Sequence, residues 1–346
     1  MKIYFLSFIL AFAMSFVTTP LVKKLAFAIG AIDIPDDKRR IHTKPIPRLG
    51  GLAIFAGTMA SLLLLLPKSH ETIGIILGSL VIVLLGVLDD KYTLSAKVKL
   101  VGQIAAALIL ILSGIRIDWI SNPFGSGVIY LKSWVAISLT LLWVVGVTNT
   151  INLIDGLDGL AAGIAFISST SLFIISLLNG RYATAVISIA IAGASLGFLP
   201  YNFNPAKIFM GDTGAMFLGF LLSAISIQGA IKSATAIAIV VPVLVLGVPI
   251  FDTLFAIIRR ILNKRPIMEA DRGHLHHRLL DKGLNQKQVV FILYGVSLVL
   301  GVSAILISFV SELKSLVILA VSLLFILWGA NKIELLRSNK KGTQTR

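Results

Sequence analysis

Runs of about twenty apolar residues recur along nearly the whole chain, and no other feature restricts its possible folds so strongly. Thr72 to Leu88, for example, holds no charged residue. In lipid the peptide groups of such a run find partners only along a helix or around a closed barrel. A barrel would show short alternating segments, and none occur. About eleven helical spans are predicted, near 3–22, 49–66, 72–88, 98–115, 133–148, 157–178, 182–199, 213–230, 235–258, 289–309 and 313–330. The chain is 57% hydrophobic, above the roughly 45–50% of soluble domains. The expected fold is therefore all-α and polytopic. It forms one membrane domain over 1–331, followed by a basic tail over 332–346. The first run continues to Val22, so it reads as a retained span and not a cleaved signal. The turn-rich segment from Ser121 to Gly127 reads as a loop or short hairpin.

The charges orient the spans. With the N-terminus outside, the inner loops and the C-terminal tail hold 24 of the 31 lysines and arginines. This bias predicts a cytoplasmic C-terminus. It also removes the main argument for nucleic-acid binding, because the basic residues follow topology and do not form one patch. The acids are one-sided too, with only Glu71, Asp118 and Glu312 outside. Carboxylates among basic loops at one membrane face suit a divalent metal together with a polyanionic substrate. The absence of cysteine excludes thiolate metal sites, disulfides and cysteine nucleophiles.

Four clusters carry the chemistry. Asp89-Asp90 ends the third span, where adjacent carboxylates are costly unless solvated, paired or metal-bound. They read as a general base or metal ligands, or as a solvated helix end. Lys97 and Lys99 follow, either to hold phosphate or to snorkel. Asn149, Asn152, Asp155 and Asp158 repeat every third residue, near one face of a helix or helix end. Their oxygens are hard ligands suited to Mg²⁺ or Mn²⁺. Phe209-Met-Gly-Asp212 offers an aromatic that can stack on a base, and a carboxylate that is either a metal ligand or the cap of span eight. The last cluster is His274-Leu-His276-His277-Arg278. No HExxH pattern accompanies it, so phosphate contact is favoured over zinc, with Arg278 as a bidentate partner. No Walker-type loop occurs, which argues against an ATPase.

Together these segments resemble the polyprenyl-phosphate N-acetylhexosamine-1-phosphate transferases, over nearly the whole chain and in the same order. The resemblance implies transfer of a sugar-1-phosphate from a UDP-sugar to a polyprenyl (undecaprenyl) phosphate in the bacterial inner membrane, at the cytoplasmic face. It implies that Asp212 and Asn152 ligate Mg²⁺, with Mn²⁺ a substitute. Asp89 would deprotonate or orient the lipid phosphate, with Asp90 beside it. Lys44 and Lys99 would bind phosphates, and Phe209 would stack on uracil. His274, His276, His277 and Arg278 would hold the diphosphate or sugar. Asp155, Asp158 and Asn149 would shape the site and contact the nucleotide. The pentapeptide-transferring branch shows Pro-x-His-His-His where this chain has His274-Leu-His-His. GlcNAc-1-phosphate is therefore the expected cargo, and direct attack is expected over an aspartyl-phosphate intermediate. Arg265, Arg272 and His274 are expected to read the acetamido group. Membrane lipids are the expected surroundings, and the assembly stays open between monomer and homodimer. The competing class, an ion-coupled transporter, would show repeated halves and mid-span charges; Asp252 alone has such a position.

Overall fold

The computed structural model describes residues 1–34, 45–122, 127–231, 239–264 and 273–335. The chain is an all-α bundle. Its helices are α1 (Lys2–Ile29), α2 (Gly51–Leu65), α3 (His70–Tyr92), α4 (Ala96–Leu112), α5 (Ser133–Ile154), α6 (Leu160–Leu178) and α7 (Tyr182–Asn202). They continue with α8 (Gly211–Ser226), α9 (Val240–Val245), α10 (Gly247–Leu262), α11 (Leu275–Asp281), α12 (Gln286–Ile307) and α13 (Glu312–Lys332). Among the described residues, seven helices are long and apolar enough to cross a membrane, and α2 is a shorter apolar helix. The protein is a multi-pass membrane protein.

Small side chains decide how closely these helices pack. On α1, Ser7, Ala11, Ser15 and Thr19 are buried at four-residue intervals. Gly193 and Gly197 of α7 meet the carbonyls of Phe8 and Phe12, and Gly57 of α2 meets that of Ala11. Lipid is as apolar as leucine, so close backbone approach and hydrogen bonds hold such helices together. The Ser7 and Ser61 hydroxyls, 2.7 Å apart, add one such bond between α1 and α2. By contrast α8 is buried from Thr213 to Ser226 on every side. A helix apolar all round belongs inside the bundle, and α2, α3 and α5 surround this one. Its N-terminus carries Asp212.

The remaining structure is short. Strands β1 (Ile32–Asp33) and β2 (Ile46–Pro47) pair antiparallel, as do β3 (Trp119–Ser121) and β4 (Val128–Tyr130). The second pair flanks the segment expected as a loop or short hairpin, of which 123–126 lie outside the described residues. Several sequence-derived boundaries shift. The span expected over 235–258 is two helices, α9 and α10, meeting at Leu246. Helix α5 ends at Ile154, so Asn149 and Asn152 are helical while Asp155 and Asp158 lie in the turn before α6. Beyond α13, Leu335 is buried with Phe255 and Ala330.

Candidate active site

The polar clusters meet at one end of the bundle because the antiparallel helices return there. The joint between α2, α3 and α8 is built on glycine. A Cβ on Gly51 would overlap the Gly214 backbone, and one on Gly86 would overlap Thr213. Backbone pairing completes it. The Phe209 amide donates to the Pro47 carbonyl (2.8 Å), and the Gly50 amide donates to the Phe209 carbonyl (2.9 Å). These bonds hold Phe209 and the start of α8 against the β2–α2 segment.

Asp90 locks that position. Its Oδ1 accepts from the Asp212 amide (2.9 Å), and its Oδ2 accepts from the Thr213 amide (3.1 Å) and hydroxyl (2.6 Å). Two of the orphan amides that open α8 are thus satisfied by a carboxylate from α3, where the helix dipole favours negative charge. Gly211, at φ 71°, makes the turn possible, and a Cβ there would strike Asp90.

Asp89 faces a different partner. Its Oδ1 accepts from the Leu94 amide (2.7 Å), and its Oδ2 lies 3.2 Å from Lys99 Nζ. The same ammonium lies 2.9 Å from Asp212 Oδ2. Lys99 therefore bridges the two carboxylates; Asn152 of α5 lines the same cavity as Asp212.

A cavity of about 730 Å³ opens beside this cluster, within the usual range for small-ligand sites. Asn152, Asp155, Asp158, Phe209, Asp212 and His277 line it, and so do Asp90 and the cations Lys23, Arg48 and Lys207. With Asp33, five carboxylates face three of these cations. The excess of negative charge has a consequence at Asp155. Burial first, then the charges of Asp212, Asp90 and Asp158, push its carboxyl up to about 8.

That imbalance, and an all-oxygen donor set of Asp155, Asp212 and Asn152, fit a hard divalent cation. Among the described residues no three His, Asp or Glu side chains are grouped closely enough to cage a metal alone. The fit is thus to an ion that keeps several water or substrate oxygens, as Mg²⁺ does.

The structure separates residues that the sequence grouped. Asn149 does not line the cavity. Its amide donates to Gln103 (2.7 Å) and to the Val145 carbonyl (2.8 Å), tying α5 to α4. His274 and Arg278 are buried away from it as well. The His274 ring lies 2.9 Å from Asp252, and Arg278 donates to the Gly273 carbonyl (3.2 Å) and to that of Glu334. His276 is buried against Gly156, in the turn that carries Asp155 and Asp158. Burial, then the neighbouring His277, pull its pKa down to about 3. Only His277 of this cluster reaches the cavity wall. Lys44, Arg265 and Arg272 lie outside the described residues.

Other wall residues escaped the sequence reading. Asp158 Oδ2 accepts from Asn204 (3.0 Å) and the Ala206 amide (3.0 Å), and Asn204 also donates to Gln286. Asn202 fixes the same turn by accepting from the Gly159 amide (3.1 Å). The stretch Asn202-Phe-Asn204-Pro-Ala, three residues before Phe209, held a turn signal that could have found them. Lys23 and Arg48 were visible only as loop charge.

Fold and site together define a multi-pass membrane protein with an acidic, cation-rimmed cavity suited to a metal-bound polyphosphate. The description "Glycosyl transferase family 4" matches residues 72–230. The chain is 45% identical, over 92% of its length and 89% of the relative's, to a probable undecaprenyl-phosphate N-acetylglucosaminyl 1-phosphate transferase of Bacillus subtilis (strain 168). A decaprenyl-phosphate N-acetylglucosaminephosphotransferase of Mycobacterium tuberculosis (strain ATCC 25618 / H37Rv) is 39% identical, over 81% of this chain and 76% of its own. A phospho-N-acetylmuramoyl-pentapeptide-transferase of Bacillus cytotoxicus is 32% identical, over 86% and 94%. The chain belongs to glycosyl transferase family 4 and is a transferase.

Proposed function

We propose that the protein transfers GlcNAc-1-phosphate from UDP-GlcNAc to undecaprenyl phosphate and releases UMP. It would thereby start a cell-envelope polysaccharide of O-antigen or teichoic acid type. The carrying observation is the 45% identity, over 92% of the chain, to a probable undecaprenyl-phosphate N-acetylglucosaminyl 1-phosphate transferase. The pentapeptide transferases are more distant, at 32%.

A lipid phosphate oxygen attacks the β-phosphorus of the UDP-sugar. The bond to the bridging oxygen breaks, and UMP leaves with that oxygen. One pyrophosphate linkage replaces another, so no ATP is needed. Mg²⁺, for which Mn²⁺ would substitute, would be held by Asp212 and Asn152 with Asp155 beside them, and would supply charge to neutralise the pyrophosphate oxygens. Lys99 holds Asp89 and Asp212 in register and offers its remaining donor to a phosphate. Asp89 orients or deprotonates the lipid phosphate. Asp90 fixes α8, and with it Asp212; both its oxygens are engaged, which favours direct attack over an Asp90 nucleophile. Phe209 stacks on uracil, Asp158 shapes the nucleotide wall, and His277 meets the diphosphate or sugar. Lys44 supplies a further phosphate contact from the first inner loop.

The membrane arrangement belongs to the same proposal. The domain crosses a bacterial inner membrane about eleven times, with the N-terminus outside and the cavity and basic tail on the cytoplasmic face. The distribution of 24 of 31 basic residues supports it. A long acceptor tail that must stay in lipid explains a site at that face.

The test is transfer by purified protein with Mg²⁺, undecaprenyl phosphate and a panel of radiolabelled UDP-sugars. UDP-GlcNAc should give a lipid-linked product and UMP in equal amounts. UDP-glucose, which lacks the acetamido group, and UDP-MurNAc-pentapeptide should both be poor donors. Faster turnover of the pentapeptide donor overturns the substrate. Preference for another UDP-N-acetylhexosamine overturns the sugar and leaves the reaction class standing.

A further inference from the structure

Asp252 has no place in the chemistry above, yet it is buried in α10 with only 4% exposure. A carboxylate at that depth is costly unless its oxygens are satisfied. Both are, and both by one short element. Oδ1 accepts from the Leu275 amide (2.7 Å), the first residue of α11. Oδ2 lies 2.9 Å from His274 Nδ1. That contact ties the residue before α11 to α10 as well.

Helix α11 has seven residues, far below the roughly twelve needed for a helix to persist on its own hydrogen bonds. Its placement depends on contacts from outside. What it carries matters to the site. The His274 and His276 rings lie parallel, with centroids 6.0 Å apart and planes 8° apart. The His276 and His277 rings are 4.2 Å apart. His276 occupies the space a Cβ on Gly156 would need, in the turn between Asp155 and Asp158. His277 reaches the cavity. A path of direct contacts therefore runs from Asp252 through three rings to the cavity wall.

We propose that Asp252 and His274 form a positioning pair that seats α11, and so holds His276 against the Asp155–Gly159 turn and His277 at the cavity. Neither member touches substrate. The activity part of the test rests on the transferase reading above; the structural part does not.

The first arm is hydrogen exchange on the full-length protein in detergent, without substrate. Asp252→Asn retains one acceptor but presents an amide to the other donor. Amides of 273–281 should exchange about tenfold faster, as loss of a local anchor requires, with the rest of the bundle unchanged. Unchanged exchange there overturns the proposal.

The second arm is kinetic. Asp252→Asn should lower kcat/KM about 100-fold, the scale of an ångström-level misplacement. In a His276→Ala/His277→Ala background the same change should cost less than about threefold, because both placements that α11 provides are already removed. Independent, additive losses overturn the proposal.

His274 provides a control if Asp252→Asn does not fold. His274→Asn keeps a donor for Asp252, whereas His274→Leu does not. Asn should recover at least about tenfold in turnover over Leu. Equal loss in both would mean that the imidazole itself acts in the chemistry, contrary to a positioning role. A wild-type protein that transfers no sugar phosphate sinks the reaction proposal but leaves the exchange arm to decide this one.

Discussion

Asp90→Asn tests the account of the site most directly, because it exchanges one oxygen for an NH₂ group and leaves the shape intact. In the native protein one carboxylate accepts three hydrogen bonds at the start of α8, two from backbone amides and one from the Thr213 hydroxyl. Asparagine keeps one oxygen for the Asp212 amide and turns an NH₂ group toward the Thr213 amide. The hydroxyl can rotate to accept; the amide cannot. The loss is thus one bond to a charged acceptor, about 1.5–3 kcal/mol. The weakening of the bond that remains, and of the charge at the helix N-terminus, adds about 1 kcal/mol. Together the cost is about 3 kcal/mol. Unfolding in mixed dodecylmaltoside–SDS micelles would measure it. Turnover should fall about 100-fold as the first turn of α8, which carries Asp212, shifts. The pH dependence of the residual activity should keep its shape, since Asp90 accepts no proton in the reaction. A stability loss below about 1 kcal/mol, or residual activity that loses its acid limb, would refute the reasoning.

Four further outcomes are expected. Gly156→Ala places a methyl in the His276 ring; it should cost about 1–3 kcal/mol of stability and most of the activity, read by thermal shift and radiolabel transfer. His276 is held well below its ordinary pKa, at about 3, so its contribution is complete above 6.5 and is lost as pH falls from there toward 3. At pH 5 that amounts to about 2 kcal/mol, and His276→Gln should flatten this part of the stability–pH curve. EDTA should abolish transfer and Mg²⁺ or Mn²⁺ restore it, while Asp212→Ala should lose several orders of magnitude of activity in a folded protein; full turnover in EDTA excludes the metal proposal. Reporter fusions after Gly30 and Lys282 should read cytoplasmic, and one after Gly125 outside; a cytoplasmic signal after Gly125 reverses the proposed topology.

Hydropathy alone determines a great deal of this protein. Among the described residues each long apolar run is helical, although that over 235–258 is divided between α9 and α10, because a helix satisfies its own peptide groups in lipid. The acidic and basic clusters announce themselves because charge beside a membrane span is costly and seldom idle. Spacing could not say which members of a cluster would meet. Asn149 and Asn152 look alike along the chain, yet Asn149 is absorbed by Gln103 of α4 and Asn152 lines the cavity with Asp212. That choice depends on how α4, α5 and α8 are rotated against one another. Asp89 and Asp90 are adjacent, yet one faces Lys99 and the other caps α8. Arg278 reads as a phosphate ligand, but one group it donates to, the Glu334 carbonyl, is 56 residues away, just past α13. Asp252, isolated in the sequence, finds His274 22 residues on, across residues that separate two helices. Such long-range partners are set by close helix packing, through glycine and serine contacts that leave no periodic trace beside the chemistry they align.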